Sequence, residues 1–495
     1  DRGQHYRLFP RLIGQILHKY GVEEFHLTLT QGRWDYDSWG YPVEPSTATG
    51  LELWTRLVDS ADVEERWRGF NNALSGLFCA SINFVDQTIT SEPSLSFRPN
   101  GQGMVDPDSA SGSANPTTSS SSSSSSTNQP PTILRHSLLA RESVCTENLT
   151  PWIKLLPCQG KAGLTSLLNT YRLYDTNFHS MGIHLARTGA CPPIGPCGNR
   201  PVELRLSLAL VTDRTRLTHQ PDRLLSTLFD RHLEGSCPLA TQSRITLLVP
   251  EVNVGPMRLV SEPSTWDSES LVAGPKTENR TSPFEIYTAW SDTLQPTAES
   301  NGAADVTPLT FHRQLTGHGL ERNGLEVTLS NFQSTDVTVT YLDTLPWYLN
   351  VYFHTLTIRS TPLPEPIALG DSSPSPSHDH GRPSVMELGL QLPAQSLTIL
   401  TLEFDKMFLK YTEYPPDANR GMTVGSAVLT AQLAPQQSNK THGTCWTRMY
   451  SEPFLVSLPT PDFSMPYNVI AFTCTVLAFF FGSMFNSLIR GYRIL

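Results

Sequence analysis

The sequence has no strong signature of an enzyme. It contains no GxSxG nucleophile elbow, no HExxH motif and no Walker-type phosphate loop. It also has no excess of positive charge, because 36 Lys and Arg stand against 46 Asp and Glu, for a net charge of −10. This balance gives no reason to expect nucleic acid as a partner. The lack of a repeat of about 20–50 residues leaves a propeller or a solenoid without support.

Long apolar runs are also scarce, and the clearest one lies near the C-terminus. Residues 469–489 contain no charged side chain, and at the helical rise they reach roughly 31 Å, enough to cross a bilayer core of about 30 Å. Arg490 and Arg493 follow directly, which predicts a cytosolic tail at 490–495 and a lumenal location for the rest of the chain. We therefore predict a single-pass type I membrane protein with a Pro-rich juxtamembrane segment at 458–468; a buried core helix is the alternative.

Composition divides the rest of the chain into ordered parts and two low-complexity stretches. Residues 100–131 are rich in Ser, Thr, Pro, Gly and Asn, and such a segment cannot bury enough apolar surface to fold. We predict that it is a disordered loop between an N-terminal part at 1–99 and a longer region at 132–457. A smaller Pro- and Ser-rich stretch at 363–384 predicts a second disordered insertion.

Apolar periodicity predicts a mainly β protein with an α/β N-terminal part. Helical spacing favours helices over 7–20 and over about 51–79, and the alternation of Phe25, Leu27 and Leu29 favours a strand between them. In the longer region the strand signal dominates, and short strands with polar connections favour β-sandwich-type domains. The segments with this signal are 204–208, 325–329, 337–341, 348–358 and 388–392.

The eight cysteines fit an oxidising compartment. Cys474 lies in the apolar run, and the seven others are Cys79, Cys145, Cys158, Cys191, Cys197, Cys237 and Cys445. Because seven is odd, at least one thiol is free or bonded to another chain. No spacing among them matches a zinc site, and we expect neither a metal nor a cofactor.

Cys145 is the most informative of these cysteines. It follows the serine tract closely, so a flexible approach and an accessible sulfur favour a free thiol or a bond to another chain. The alternative pairs it with Cys158, thirteen residues further on. The residues alone leave these two interpretations equal.

A cysteine nucleophile with a histidine base is the enzyme hypothesis to weigh. His179 and His184 have several cysteines nearby in sequence, and His442 precedes Cys445 by three residues. No recognisable signature surrounds these cysteines, and most cysteines in an oxidising lumen are structural. The sequence therefore favours a binding or scaffolding role with no catalytic residue; a stand-alone lumenal receptor or hydrolase is the alternative.

Three Asn-X-Ser/Thr sequons are candidates for N-glycosylation on the lumenal side, at Asn148, Asn279 and Asn439. Asn148 is the weakest of the three, because Pro151 follows its Thr150 directly.

Several long strings in the sequence resemble one family. The chain is similar to the phosphatidylinositol-glycan class T subunits of GPI transamidase over nearly its whole length, apart from the serine tract and the 363–384 stretch. The strings are HYRLFPRLIGQIL at 5–17, GLFCASINF at 76–84, CTENLTPW at 145–152, LLPCQGKAGL at 155–164, DTLPWYLNVYFHTLTI at 343–358 and LPTPDFSMPYNVI at 458–470.

The resemblance implies a non-catalytic subunit of the endoplasmic-reticulum membrane complex that attaches GPI anchors to precursor proteins. The cysteine-protease-like K subunit is implied to perform the chemistry, while the class T subunit stabilises the assembly with the other membrane subunits. The family's interchain disulfide to the K subunit uses the cysteine of CTENLTPW, which is Cys145 here. The remaining candidates for structural disulfides are Cys79, Cys158, Cys191, Cys197, Cys237 and Cys445.

Three polar residues are candidates for contact with the GPI lipid. Asp462 and Ser464 lie in the Pro-rich string before the apolar run, and Asn419 lies in the string TEYPPDANRG at 412–421, which also resembles the family. A carboxylate can pair with the cationic ethanolamine amine, and polar side chains can bond phosphate or sugar oxygens. The alternative is that these residues cap turns, as Asp, Ser and Asn commonly do.

Overall fold

The computed structural model shows two packed β-rich units followed by a long C-terminal helix. The residues that it describes are 8–42, 45–96, 131–187, 201–212, 223–224, 228–231, 235, 237–241, 287–288, 308–317, 319, 321–362, 372–377, 381–415, 417–433, 445–460 and 464–491.

The first unit is built on a six-stranded antiparallel sheet. Its strands are β1 Val22–Gln31, β2 Gly50–Val58, β3 Thr90–Ser91, β4 Thr132–Leu139, β5 Phe178–Arg187 and β6 Val202–Val211. They lie in the order β3-β4-β2-β1-β5-β6. On β1, Phe25, Leu27 and Leu29 are buried on one face, because successive side chains of a strand point to opposite faces.

Helices cover that apolar face. They are α1 Arg11–Tyr20, α3 Val63–Phe78 and α4 Thr146–Lys154, with shorter α2 Tyr36–Trp39 and α5 Thr170–Tyr174 elsewhere in the unit. On α3 the buried residues Trp67, Phe70, Leu74 and Phe78 recur every three or four positions, and they pack in one core with Leu27 of the sheet. The α/β character predicted for the N-terminal part is therefore present.

The second unit is a β-sandwich. Its four-stranded sheet has the order β12-β15-β10-β9, and its five-stranded sheet has the order β13-β14-β11-β17-β18. The inner faces meet in one apolar core, in which Val327 and Leu400 of one sheet join Val339 and Leu390 of the other. The strand bounds are β9 Leu309–Thr316, β10 Arg322–Asn331, β11 Val337–Leu345, β12 Leu349–Thr361, β13 Ser372–Ser375, β14 Ser384–Leu392, β15 Ser396–Lys406, β17 Val428–Leu433 and β18 Cys445–Tyr450. These sheets confirm the predicted mainly β fold.

Two further two-stranded ribbons lie among the described residues. Strand β16 Met422–Val424 pairs with β19 Phe454–Val456, and β7 Arg223–Leu224 pairs with β8 Tyr287–Thr288. The two units also share an apolar cluster that contains Trp54 of the first and Leu342 and Val428 of the second.

The C-terminal helix, α6 Ser464–Ile489, has the length and composition of a membrane span. Residues Tyr467–Ile489 have a mean hydropathy of 1.8, and none of that apolar stretch is buried against the rest of the protein. This confirms the predicted apolar helix, although helix α6 begins five residues before the expected 469, inside the expected juxtamembrane segment. Pro466 is accommodated there because N–H groups in the first turn have no intrahelical partner.

The predicted helix over 51–79 is wrong in its first part. Residues Gly50–Val58 form strand β2, and only Val63–Phe78 is helical. Leu51 and Leu53 face the helices with Glu52 between them on the opposite face, so the period is two rather than 3.6.

The strand pairing also places the end of the first unit later in the chain than the expected division at residues 99 and 132. Strands β4, β5 and β6 complete the N-terminal sheet, because β2 and β1 need partners on their outer edges. The first unit therefore extends to residue 211. Residues 100–130, the bulk of the predicted serine-rich loop, lie outside the described residues.

The predicted disordered insertion at 363–384 is corrected in part. Ser372–Ser375 forms strand β13, which pairs with β14, and Ser384 already belongs to β14. Pro374 is tolerated because β13 is an edge strand, where a missing N–H costs little. Residues 363–371 and 378–380 lie outside the described residues.

Candidate functional site

Cys145 occupies the N-cap position of helix α4. Its backbone N–H donates to Asn148 Oδ1 at 2.8 Å, and its Sγ lies 3.3 Å from the same oxygen. Its carbonyl oxygen in turn accepts from the backbone N–H of Asn148 at 3.1 Å. This reciprocal arrangement satisfies the first turn of the helix and fixes the backbone that bears the thiol.

Asn148 also ties this turn to the end of helix α3. Its Nδ2 donates to the carbonyl oxygens of Phe78 at 2.9 Å and Cys79 at 3.1 Å, and the residue is only 1% exposed. A glycan on the sequon would have to be attached at this same nitrogen. The geometry therefore argues against a glycan on Asn148 in this conformation; Asn279 and Asn439 lie outside the described residues.

Tyr174 holds the other side of the Cys145 backbone. Its hydroxyl donates to the Cys145 carbonyl oxygen at 2.5 Å, and its ring packs edge-on against His179 with centroids 5.0 Å apart. Burial raises the pKa of Tyr174 to about 12, with the neighbouring Cys145 adding to the shift. Burial lowers the pKa of His179 to about 4, so that imidazole is neutral at physiological pH.

Among the described residues, neither His179 nor His184 pairs with a cysteine, and His442 lies outside the described residues. His184 lies on the opposite face of the sheet, where it contacts His26 and Ser207. In the described part of the chain, the hydrogen-bond partner of the Cys145 thiol is Asn148, not an imidazole. The thiol therefore has the geometry of a helix cap, without a described base in hydrogen-bond contact.

The cysteine pairing left open by the sequence is now resolved at one point. Cys158 is bonded to Cys237, 79 residues away, with a Cα–Cα distance of 6.0 Å, so Cys158 is not the partner of Cys145. Cys145 is a half-buried free thiol, and Cys79 is free and exposed. Cys191 and Cys197 lie outside the described residues, as does the side chain of Cys445 at the start of β18.

Of the three candidates for lipid contact, Asn419 is the one whose side chain lies among the described residues. Asn419 is exposed in a short 3-10 turn, Ala418–Arg420. Near it, the hydroxyl of Tyr414 donates to the carbonyl oxygen of Pro459 at 2.5 Å, which holds this segment against the chain that leads into the helix. Asp462 and the side chain of Ser464 lie outside the described residues.

A buried polar layer between the two units has no counterpart among the predicted sites. It includes Glu52, 2% exposed, which accepts from Trp54 Nε1 at 2.8 Å, Tyr450 Oη at 2.8 Å and His136 Nε2 at 3.1 Å. Burial raises the pKa of the Glu52 carboxyl, but His136, Arg448 and Tyr450 more than offset this, so the net shift is downward.

A chain of hydrogen bonds crosses the same layer. His26 Nε2 lies 3.0 Å from Glu24 Oε1, the two histidine Nδ1 atoms of His26 and His184 are 3.1 Å apart, and His184 Nε2 lies 2.9 Å from Ser207 Oγ. One neutral assignment satisfies all three contacts: Ser207 donates to His184, His184 to His26, and His26 to Glu24. His26, His184 and Ser207 line a cavity of about 50 Å³, which has room for a few water molecules.

This layer predicts that acid weakens the fold. Burial, with help from the charges of His26 and Arg205, lowers the pKa of His184 to about 3. Between that value and the ordinary 6.5 the unfolded state binds one more proton at this site, so stability is lost as the pH falls below about 6.5. We expect the melting temperature of the full chain in detergent to fall from pH 7 to pH 5, and to fall less in His184→Gln.

The control for this prediction is His18→Gln, because His18 is exposed on helix α1 and its loss removes a histidine without changing the buried layer. It should follow the wild-type pH profile. An unchanged profile in His184→Gln would contradict the role of His184.

Among the described residues, no three His, Cys, Asp or Glu side chains come together as metal ligands. The features that do assemble are a fixed, partly exposed thiol, a polar joint between two β-rich units, and a single apolar helix. Together they define a class: a β-rich protein with a helix long and apolar enough to span a membrane and a free thiol at a helix N-cap.

A family comparison makes the assignment specific. The family model described as the Gpi16 subunit, GPI transamidase component, matches residues 1–223 and 215–494. The chain therefore belongs to the Gpi16 family, whose members are components of GPI transamidase, as the resemblance in sequence predicted.

Two curated relatives span the whole chain. The human GPI-anchor transamidase component PIGT is 36% identical, with 99% of this chain and 85% of that protein aligned. The Saccharomyces cerevisiae GPI transamidase component GPI16 is 31% identical, with 99% and 82% aligned. Among solved structures, the yeast delta-COP-I mu-homology domain covers 56% of this chain and 88% of that chain at 8% identity, but a TM-score of 0.19 is too low to inform the fold.

Proposed function

We propose that this chain is a non-catalytic scaffold subunit of GPI transamidase that holds the catalytic cysteine-protease-like subunit by a disulfide at Cys145. The supporting observation is the state of that thiol. It is free and partly exposed, and the backbone beside it is fixed by Asn148 and Tyr174. A thiol that is already oriented loses little conformational freedom when it bonds to a partner.

The surroundings of Cys145 support a linking role over a catalytic one. A nucleophilic cysteine needs a base within hydrogen-bond reach or a lowered pKa. His179 is linked to Cys145 only through Tyr174, and its own contacts are to Tyr174 and Thr176. We therefore assign the transfer of the precursor to the GPI amine to the partner subunit.

The orientation of the chain follows from the same proposal. Arg490 lies directly after helix α6, and positive charge favours the cytosolic end of a membrane span. The two β-rich units then lie in the lumen of the endoplasmic reticulum, where disulfides such as Cys158–Cys237 form.

The test is to co-express the full chain with the other transamidase subunits and to run the purified complex on a non-reducing gel. A scaffold with an interchain bond migrates as a linked pair that reductant separates. A stand-alone receptor or hydrolase, the alternative function, would migrate alone and would copurify with no transamidase activity.

The second part of the proposal is that the membrane-proximal end helps to position the GPI lipid. Asn419 is exposed at that end, and Asp462 and Ser464 precede the apolar helix in sequence. A carboxylate at Asp462 would pair with the ethanolamine ammonium, and the amide and hydroxyl would bond phosphate or sugar oxygens.

We expect Asp462→Ala and Asn419→Ala to slow GPI attachment to a reporter precursor while the complex stays assembled. Loss of one charge-assisted hydrogen bond corresponds to roughly a tenfold effect. Glu326→Ala is a matched control, because Glu326 is a surface carboxylate on β10 that pairs with Gln314. A normal attachment rate in Asp462→Ala would remove that residue from the lipid site.

A further inference from the structure

The segment that follows strand β15 exposes aromatic side chains at the end of the sandwich. Phe408 is 74% exposed and Tyr411 is 47% exposed, and Lys410 between them is also exposed. Single exposed apolar side chains are common on protein surfaces, but here two aromatic rings and a lysine lie within four residues.

The segment is nevertheless held in place. Leu409, 9% exposed, packs into the sandwich core beside the two aromatic residues. The backbone N–H of Met407 donates to the carbonyl oxygen of Tyr348 at 2.9 Å. The backbone on both sides of Phe408 is therefore fixed, while the Phe408 ring faces solvent.

This segment lies close to the start of the membrane span. The hydroxyl of Tyr414 bonds the carbonyl oxygen of Pro459, and the apolar stretch begins at Tyr467. Five residues of fully extended chain followed by three helical steps reach at most about 22 Å. Pro459, and with it the hydroxyl of Tyr414, therefore lies within about that distance of the start of the apolar stretch, a distance comparable to the depth of the headgroup layer and the outer edge of the hydrocarbon core.

We propose that residues 407–414 rest on the membrane surface, with Phe408 and Tyr411 inserted among the lipid headgroups and Lys410 facing lipid phosphates. Aromatic rings with a neighbouring Lys are the combination that membrane interfaces favour. This inference depends on the apolar helix spanning the bilayer and not on contact with GPI.

The chain offers a matched control at the opposite end of the sandwich. Phe332 is 51% exposed and follows Asn331, which pairs with Ser396 at the start of β15. Phe408 lies just beyond Lys406, at the other end of that strand. Ten residue steps along β15 separate the two ends by about 33 Å.

The experiment places the photo-crosslinker p-benzoylphenylalanine at position 408, 411 or 332 of the full chain in phosphatidylcholine nanodiscs, with adducts measured by mass spectrometry. We expect lipid adducts at 408 and 411 to exceed those at 332 by about tenfold, because only the first two positions lie within reach of the headgroup layer.

Equal adduct yields at 332 and 408, or no lipid adducts at either 408 or 411, would overturn the proposal. Crosslinking of 408 to another subunit in place of lipid, when the whole transamidase complex is used, would show a protein contact and would also overturn it. All three positions are exposed aromatic residues, so the replacements leave the core untouched.

Discussion

Replacing Cys145 with serine is expected to abolish the disulfide-linked pair on a non-reducing gel while the other transamidase subunits still copurify. The fold should tolerate the change, because serine is a preferred N-cap residue and its hydroxyl can keep the contact with Asn148. The melting temperature of the variant should therefore stay close to that of the wild type. The linked pair should be lost completely, since serine has no sulfur with which to form a disulfide.

Cys79→Ser is the matched control for this result. Cys79 is a second free thiol, and it is exposed at the end of helix α3, where Asn148 joins it to the turn of Cys145. Its replacement also removes one accessible sulfur but should leave the linked pair intact. If the linked band persisted in Cys145→Ser and vanished in Cys79→Ser, the interchain bond would belong to Cys79.

The pairing of Cys158 shows where sequence spacing stops being informative. Cys145 and Cys158 are close in sequence, yet Cys158 is bonded to Cys237. The backbone N–H of Gly163 donates to the carbonyl oxygen of Gly235 in the same region. A bond across 79 residues depends on tertiary packing, which no local pattern encodes.

Secondary structure was predictable where one face of an element is apolar and the other is not. The alternation in 325–329 and 388–392 identified β10 and β14 correctly, because each strand buries one face in the sandwich. The same rule failed at 51–58, where β2 runs directly toward the amphipathic helix α3 and the two patterns merged into one apparent helix.

The polar layer could not be predicted, because its residues resemble a solvated strand face. Glu24, His26 and Thr28 alternate with apolar residues along β1, which is typical of a half-exposed strand. All three are at most 7% exposed, since the second unit covers that face. Arg448 and Tyr450, which line the same cavity as His26 and Thr28, come about 400 residues later in the chain. The pattern of β1 alone therefore does not indicate that this face is buried.

Replacing Asp343 with alanine is expected to destabilise the sandwich by about 3–5 kcal/mol, because it leaves a buried guanidinium without its counterion. Arg313 Nη1 lies 2.6 Å from Asp343 Oδ1, and these side chains are 0% and 1% exposed. The pair joins β9 of one sheet to β11 of the other, and Tyr341 adds a hydrogen bond of 2.8 Å to Asp343 Oδ2. The melting temperature of the full chain should fall by roughly 6–20 °C.

Two further variants separate the burial of this pair from its charge. Glu403→Ala removes one of two carboxylates near Arg322 and breaks an ion pair of 2.8 Å whose side chains are 53% and 63% exposed. It should cost about 1 kcal/mol or less because water screens the remaining charge. The double replacement Arg313→Met with Asp343→Leu should recover part of the lost stability, since it leaves no unpaired charge in the core but removes the acceptor of the Tyr341 hydroxyl. If Asp343→Ala melted within a degree or two of Glu403→Ala, water would have to reach Arg313, and the buried pair would not be what joins the two sheets.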